Sequence, residues 1–346
     1  MKNIIGFALL LLTLTACNNR NIPDVSAIKV SLEVKRFEQD FFQLDTTQLI
    51  AGLSKLQQKY PDFLQDYFIN ILGLTPGNDS MSTELERLQQ FLRDYRPIYE
   101  ATQKTFASMK NTEDELRVSL QFVKYYFPQY KTPQTLITYI GPMNASYEAS
   151  LGAYSDIISN AGLATGLQLH LGADYSLYHS EMGQALYPVY ISRRFIPENI
   201  SVNAIKNIID DMYPERRVGK TLIEQMVEKG KRLYVLDQCM PHTADTLKIG
   251  YTAAQLKGCF DNEGRIWNFF ITNQLLLSKD PGEIKSYISD GPKTVELGEG
   301  SPGNMGLFVG WQIVKKYMDK KSELDLSTLL QTDPRKIFEE SKYRPK

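Results

Sequence analysis

The chain has 346 residues, with 39 lysines and arginines against 40 aspartates and glutamates and a formal net charge of −1. The charges form no basic block, which argues against a nucleic-acid partner. Hydrophobic residues make up 42 % of the sequence, enough for a sizeable core in one large domain or two.

The most specific signal comes first. Met1-Lys2 is a short positive region, and Ile4 to Thr15 is an apolar run too short to span a bilayer as a mature helix. It ends in Leu14-Thr15-Ala16-Cys17, a lipobox pattern. Residues 1–16 are thus expected to be a cleaved signal, leaving Cys17 as an acylated N-terminus. Acyl chains bind membrane at about 0.8 kcal/mol per buried CH₂. The expectation is a bacterial envelope lipoprotein that is anchored and does not span; inner and outer membrane are not distinguished. Residues 17–26 read as a polar tether and 27–346 as the folded part.

Ile28 to Phe37 alternates and reads as a first strand. Helices follow: Thr46 to Tyr60, then Asp62 to Leu72 after Pro61. A loop at Thr75-Pro76-Gly77-Asn78-Asp79 precedes two helices with candidate capping boxes, Thr83 with Glu86 and Thr112 with Glu115. Thr135 to Ile140 is β-branched and predicts a strand. Ser146 to Ile158 is ambiguous. Gly166 to Leu171 (GLQLHL) alternates and predicts a second strand.

Two helices in series organise the second half. Ser201 is a candidate N-cap, and Ile205, Ile208, Ile209 and Met212 form an apolar stripe. After Pro214 a helix from Gly219 to Asp237 buries Leu222, Ile223, Met226, Val227, Leu233 and Leu236. A long helix from Thr252 to Lys279 is expected to kink near Gly258 and Gly264. A short helix follows Asp280-Pro281-Gly282, and a glycine-rich loop spans Gly298 to Gly303. Asn304 to Met318 is helical, and two short helical pieces close the chain.

Candidate chemistry is sparse. His170, His179 and His242 lack the local spacing of a zinc set. The Gly-x-Ser-x-Gly of a serine hydrolase is absent. Gly298 to Gly303 contains Gly-x-Gly without a strand–turn–helix unit, so it reads as a tight turn ahead of a closely packed helix. Asp210, Asp211 and Glu215, near Arg193, Arg194, Arg216, Arg217 and Lys220, read as a helix-end charge network. Cys239 and Cys259 either form a disulfide after export or stay as two buried thiols.

Several pieces together resemble the gliding-motility lipoprotein family named GldB. They are the lipobox, Leu169-His170-Leu171-Gly172-Ala173-Asp174-Tyr175, Tyr190-Ile191-Ser192-Arg193-Arg194, Gly230-Lys231-Arg232-Leu233-Tyr234, and Ser301-Pro302-Gly303 running into Gly310-Trp311-Gln312-Ile313-Val314. That family is similar in turn to zinc peptidases whose first helix carries His-Glu-x-x-His and whose next carries a glutamate ligand. Here the first helix offers Asn203-Ala204-Ile205-Lys206-Asn207, and Glu224 and Glu228 occupy the second. The resemblance therefore implies an α+β, mainly helical fold with a small sheet, of degenerate zincin-like layout. It also implies a lipid-anchored, non-enzymatic protein of the motility machinery that works through contacts with envelope proteins. No catalytic, metal or cofactor residue is assigned, and Cys17 is the one site residue. Two alternatives stand beside it. One is a hydrolase built on His170, Asp174 and Glu228; the other is a ligand binder with a groove lined by tyrosines from Tyr175 to Tyr190.

Overall fold

The computed structural model describes residues 22–74, 81–144, 155–215 and 218–346. Cys17, the loop at 75–79, most of the ambiguous 146–158 stretch and the arginines at 216 and 217 lie outside them. The fold is α+β and mainly helical, with one apolar core running from Val25 to Tyr343.

The sheet has four strands in the order β1-β2-β4-β3: β1 (Glu33–Arg36), β2 (Thr135–Tyr139), β3 (Asp156–Ser159) and β4 (Gly162–Gly166). β1, β2 and β4 run parallel, and β3 pairs antiparallel with β4. Gly162 makes the β3–β4 turn at φ +122°, where a Cβ would sit 2.7 Å from the Thr135 carbonyl oxygen. β1 is shorter than the expected 28–37 strand. Residues before Glu33 precede the start of β2 and run along a helix instead.

The chain leaves β1 directly as α1 (Phe37–Phe42). Helical spacing puts Phe37 and Phe41 on one side, their rings 5.5 Å apart. They form an aromatic nest with Tyr60, which follows α2 (Leu49–Lys59), Phe63 of α3 (Phe63–Asp66) and Tyr67 of the π-turn Tyr67–Ile71. α4 (Met81–Asp94), α5 (Arg96–Thr105) and α6 (Lys110–Tyr126) complete the first half. The two capping boxes expected there do not form, because α4 and α6 begin upstream of Thr83 and Thr112. At α6 the buried Met109 sits in the cap position, and Ser108 Oγ accepts from the Lys110 amide at 3.2 Å.

Gly166 to Leu171 is not a strand. β4 ends at Gly166, and Leu167–Leu169 turns as a 3₁₀ segment. Leu167, Gln168, Leu169 and His170 are all buried, so the alternation in sequence does not mark two faces. Three short helices follow: α7 (Ser176–His179), α8 (Glu181–Leu186), capped by Ser180, and α9 (Val189–Ser192). Tyr178 and Tyr187 pack edge-on against Phe195 at 5.2 and 5.0 Å between centroids. Both are buried, so these tyrosines build core rather than line a groove.

α10 (Asn199–Met212) starts before Ser201, which lies buried in its first turn. α11 (Leu222–Cys239) is capped by Thr221 and Glu224, with Gly219 in the turn ahead at φ +77°. The long helix expected over 252–279 is divided instead. α12 (Asp245–Ile249) ends at a left-handed Gly250, and Thr252 with Gln255 boxes the start of α13 (Ala253–Asp261). The break before α14 (Glu263–Thr272) falls at Asn262, whose amide donates to the Gly258 carbonyl, and neither glycine makes it. Asp280, Asp325 and Asp333 cap α15 (Pro281–Ile288), α17 (Leu326–Gln331) and α18 (Pro334–Ser341); α16 (Met305–Lys320) precedes the last two.

The tightest helix contact is α11 with α16, not α10 with α11. A Cβ on Gly310 would lie 1.7 Å from the Met226 carbonyl oxygen, and one on Gly230 would lie 2.2 Å from the Gly310 carbonyl. Two glycines at the crossing bring the backbones into direct contact, which an apolar-stripe argument does not register. Cys239 and Cys259 are two buried free thiols. Cys259 Sγ packs 4.0 Å from Met305 Sδ, so no disulfide joins α11 to α13.

Candidate functional site

The polar side chains converge most closely between β3, the turn after β4, and α10. His170 Nε2 lies 3.1 and 3.0 Å from the two Asp156 carboxylate oxygens, and its Nδ1 lies 3.1 Å from the Ile196 carbonyl oxygen. Both ring nitrogens thus face acceptors, an arrangement satisfied in full only by the doubly protonated ring. Burial opposes that charge. The Asp156 carboxylate and the Ile196 carbonyl outweigh it, and the imidazole pKa is raised above its ordinary value.

Asp156 is saturated as well. Thr165 Oγ1 and Asn203 Nδ2 donate to its carboxylate, the latter at 2.7 Å, and Asn207 Nδ2 donates to its backbone carbonyl at 2.7 Å. Asn203 and Asn207 sit four apart on α10, so one helix face reaches one strand residue twice. Here two amides hold a strand in place.

Arg194 and Lys206 border the same centre, in which a void of about 10 Å³ is scarcely room for one water. Arg194 is paired with Asp290 at 2.8 Å. Burial, then the nearby Arg194, lowers the Lys206 pKa to about 8, against the pull of Asp290 and Asp210. The centre carries charge in near balance and is closed. A His–Asp pair acts as a general base only through a free ring nitrogen, and here neither nitrogen is free.

Asp174 and His179 are exposed on the turn beyond, and His179 Nε2 lies 2.9 Å from the Ala173 carbonyl oxygen. Glu228 belongs to a different cluster, on α11. It meets Lys220 at 2.7 Å, Lys231 at 3.1 Å and Arg232 at 3.2 Å. Burial raises its pKa, but the Lys231 and Lys220 charges prevail and hold the carboxyl below its usual range. Lys231 also donates to the Leu330 and Thr332 carbonyls at 2.9 and 3.0 Å, binding α11 to the end of α17. The hydrolase trio of His170, Asp174 and Glu228 is therefore dispersed over three settings. Among the described residues no three His, Cys, Asp or Glu side chains are grouped to hold a metal ion.

The helix-end charges behave as a network: Arg232 Nε meets Asp210 at 3.3 Å, and Tyr130 donates to Asp211 at 2.8 Å. In the glycine-rich loop, Ser301 Oγ donates to the Thr294 and Gly298 carbonyls, at 2.8 and 2.7 Å. A Cβ on Gly303 would meet the Gly291 carbonyl oxygen at 2.4 Å, as a tight turn demands. This loop borders a cleft of about 610 Å³, shared with α13 and α14.

Sequence reasoning missed Asp156, Asn203 and Lys206. The available signal was the i, i+4 asparagine pair, which points both amides one way. The pieces that carry the family resemblance are structural meeting points. Leu169–Tyr175 and Tyr190–Arg194 build the His170 centre, while Gly230 and Gly310 make the α11–α16 crossing. No curated protein and no solved structure matches the chain. A family model for the gliding motility protein GldB matches residues 18–345, nearly the whole length, and the chain belongs to that family.

Proposed function

We propose that this lipoprotein is a non-enzymatic component of a motility or surface machinery, anchored through acylated Cys17 and acting by contact with envelope proteins. Family membership supplies the class. The observation that supports the contact reading is an exposed apolar row on α8 and α9. Met182, Leu186 and Val189 are 70, 38 and 56 % exposed; Met182 and Leu186 are four apart on α8, and Val189 opens α9 three residues on. Their backbone is fixed from beneath by the buried Tyr178, Tyr187 and Phe195. A rigid apolar patch in solvent is the usual form of a protein-binding surface.

The test is Met182→Glu with Val189→Glu, introduced into the chromosomal copy. The variant is expected to keep its melting temperature and membrane fractionation, and to lose motility or surface assembly. Normal function with both charges in place would overturn the contact reading at this patch. Anchoring is tested by Cys17→Ala, which should leave the membrane fraction under high salt and mild alkali; firm retention would count against a lipid anchor at Cys17.

A ligand-binding role is the second reading, and the 610 Å³ cleft beside the glycine-rich loop favours it. A small molecule that co-purifies and is lost in Gly258→Leu would support it, since no atom lies within 4 Å of a Cβ at Gly258.

A further inference from the structure

We propose that the face formed by Ser26–Ser31 and the outer side of α6 is a headgroup site for an acidic phospholipid of the membrane that holds the anchor. The proposal rests on the reading of Cys17 as the acylated residue.

Reach is the first argument. Ile22 is the first described residue, five positions after Cys17, and five residues span at most about 18 Å whatever their path. From there the chain is held to α6. Val25 is buried and accepts from Ile28 N at 2.9 Å. Gln121 Nε2 donates to the Ile28 carbonyl at 2.8 Å, and Lys124 Nζ to the Lys29 carbonyl at 3.3 Å. The bilayer surface therefore lies close to this side of α6.

Chemistry is the second. The segment and α6 border an open groove of about 670 Å³, whose lining includes Ser26, Lys29, Ser31, Arg117, Gln121 and Lys124. These are three cations, two hydroxyls and an amide, a set suited to a phosphodiester. Glu113 pairs with Arg117, and Lys110 with Asp114 at 2.8 Å. No carboxylate among the described residues pairs with Lys29 or Lys124. Exposed Lys131 adds a charge nearby, and exposed Asp24 removes one at the tether end. The face is net positive on a chain whose net charge is −1. Val118 and Tyr125, 40 and 48 % exposed, share the α6 face with Gln121, and tyrosine favours the headgroup level of a bilayer.

The experiment uses the lipidated full chain in vesicles of phosphatidylcholine, with or without one-third phosphatidylglycerol. An environment-sensitive dye is placed at Tyr125→Cys, and separately at Leu277→Cys, a site 73 % exposed on another element. The buried Cys239 and Cys259 do not compete for label. The dye at position 125 should shift to the blue only with phosphatidylglycerol, reverse in high salt, and lose the shift in Lys29→Gln/Lys124→Gln; the dye at 277 should stay unchanged. In the unlipidated Cys17→Ser chain, the same double substitution should weaken sedimentation with acidic vesicles about 25-fold, at about 5-fold per basic residue. An acylated protein whose position-125 dye is indifferent to phosphatidylglycerol, or a double variant matching the parent, overturns the proposal. So does an equal shift caused by inorganic phosphate in neutral vesicles. Mass spectrometry showing no acyl group on Cys17 would instead sink the anchor reading, and the two failures are distinct.

Discussion

The α11–α16 crossing makes the sharpest prediction, through three single substitutions to alanine. In Gly310→Ala the new methyl would stand 1.7 Å from the Met226 carbonyl oxygen, and an ordinary contact begins at 3.4 Å. Both groups are helix backbone, so no rotamer change relieves the clash and the helices must part. A gap of about 1 Å already forfeits up to half of a dispersion well. Phe308, Val309, Trp311, Ile313 and Val314 on α16 are all buried and would lose contact together. The cost should exceed the usual overpacking range, at about 3 kcal/mol or more. At about 2 °C per kcal/mol for a chain of this size, the apparent melting temperature should fall by about 6 °C or more at a fixed scan rate. Gly306→Ala meets atoms at 3.0 Å, two of them on the side chains of Ile288 and Met226, and should cost less. Gly258→Ala meets nothing within 4 Å and should raise the melting temperature slightly, since alanine favours a helix over glycine by about 1 kcal/mol. Scanning calorimetry or far-UV dichroism reads all three. If Gly310→Ala melts within 2 °C of the parent, or the order of the three is reversed, the direct-contact account is wrong.

Three further outcomes are expected. The raised pKa of His170 means that its ion pair stabilises fully below an unfolded pKa of about 6.5. That contribution is lost as pH rises through the folded pKa. The parent's melting temperature should therefore decline above about pH 6.5 relative to His170→Gln, and parallel pH profiles for the two would refute the charged-pair assignment. Lys231→Met leaves the Leu330 and Thr332 carbonyls without their donor, while Glu228 keeps Lys220 and Arg232. A loss of about 3 kcal/mol in denaturant unfolding is expected, the low end for a broken buried pair, and an unchanged midpoint would exclude the clamp. Burial raises both thiol pKa values, Cys259 to about 12, so Ellman's reagent should find two slow thiols in the folded unlipidated Cys17→Ser chain and two fast ones in denaturant. A chain that yields none in denaturant without reductant would carry a Cys239–Cys259 bridge and refute the free-thiol assignment.

Local signals in the sequence located much of the fold. Thr135 to Ile140 reads as a strand because its β-branched residues fit one, and Asp280-Pro281 marks a helix start because aspartate caps and proline suits the first turn. Ile205, Ile208 and Ile209 mark α10 by their spacing. What stayed hidden depends on distant partners. β4 reads Gly-Leu-Ala-Thr-Gly, too small and too uniformly buried to alternate, as in a parallel strand covered on both faces. Asp156 becomes significant only when His170 folds back onto it across the β3–β4 hairpin. Glu228, named in sequence as a suspect ligand, is claimed by Lys220, Lys231 and Arg232, of which Lys220 lies in the preceding turn. Helical periodicity made α10–α11 the organising pair. The true crossing is set by Gly230 and Gly310, eighty residues apart in sequence, and a glycine gives no hydrophobic signal.

The position of β1 has a mechanical meaning. Beyond residues 25–32, which are held along α6, the N-terminal segment passes into an edge strand of four residues, bonded in parallel register to β2. Phe37 and Phe41 follow at once in the aromatic nest. Arg36, the last residue of the strand, is locked to Glu38 at 2.5 Å and to the Phe106 carbonyl at 2.9 Å, and Thr138 of β2 donates to the same buried carboxylate. Force arriving along the N-terminal segment is therefore taken up by the sheet and this nest before it reaches the α11–α16 crossing. Traction on the N-terminal segment would be resisted by its bonds to α6, by strand shear and by aromatic packing, so the first half of the molecule would bear the load.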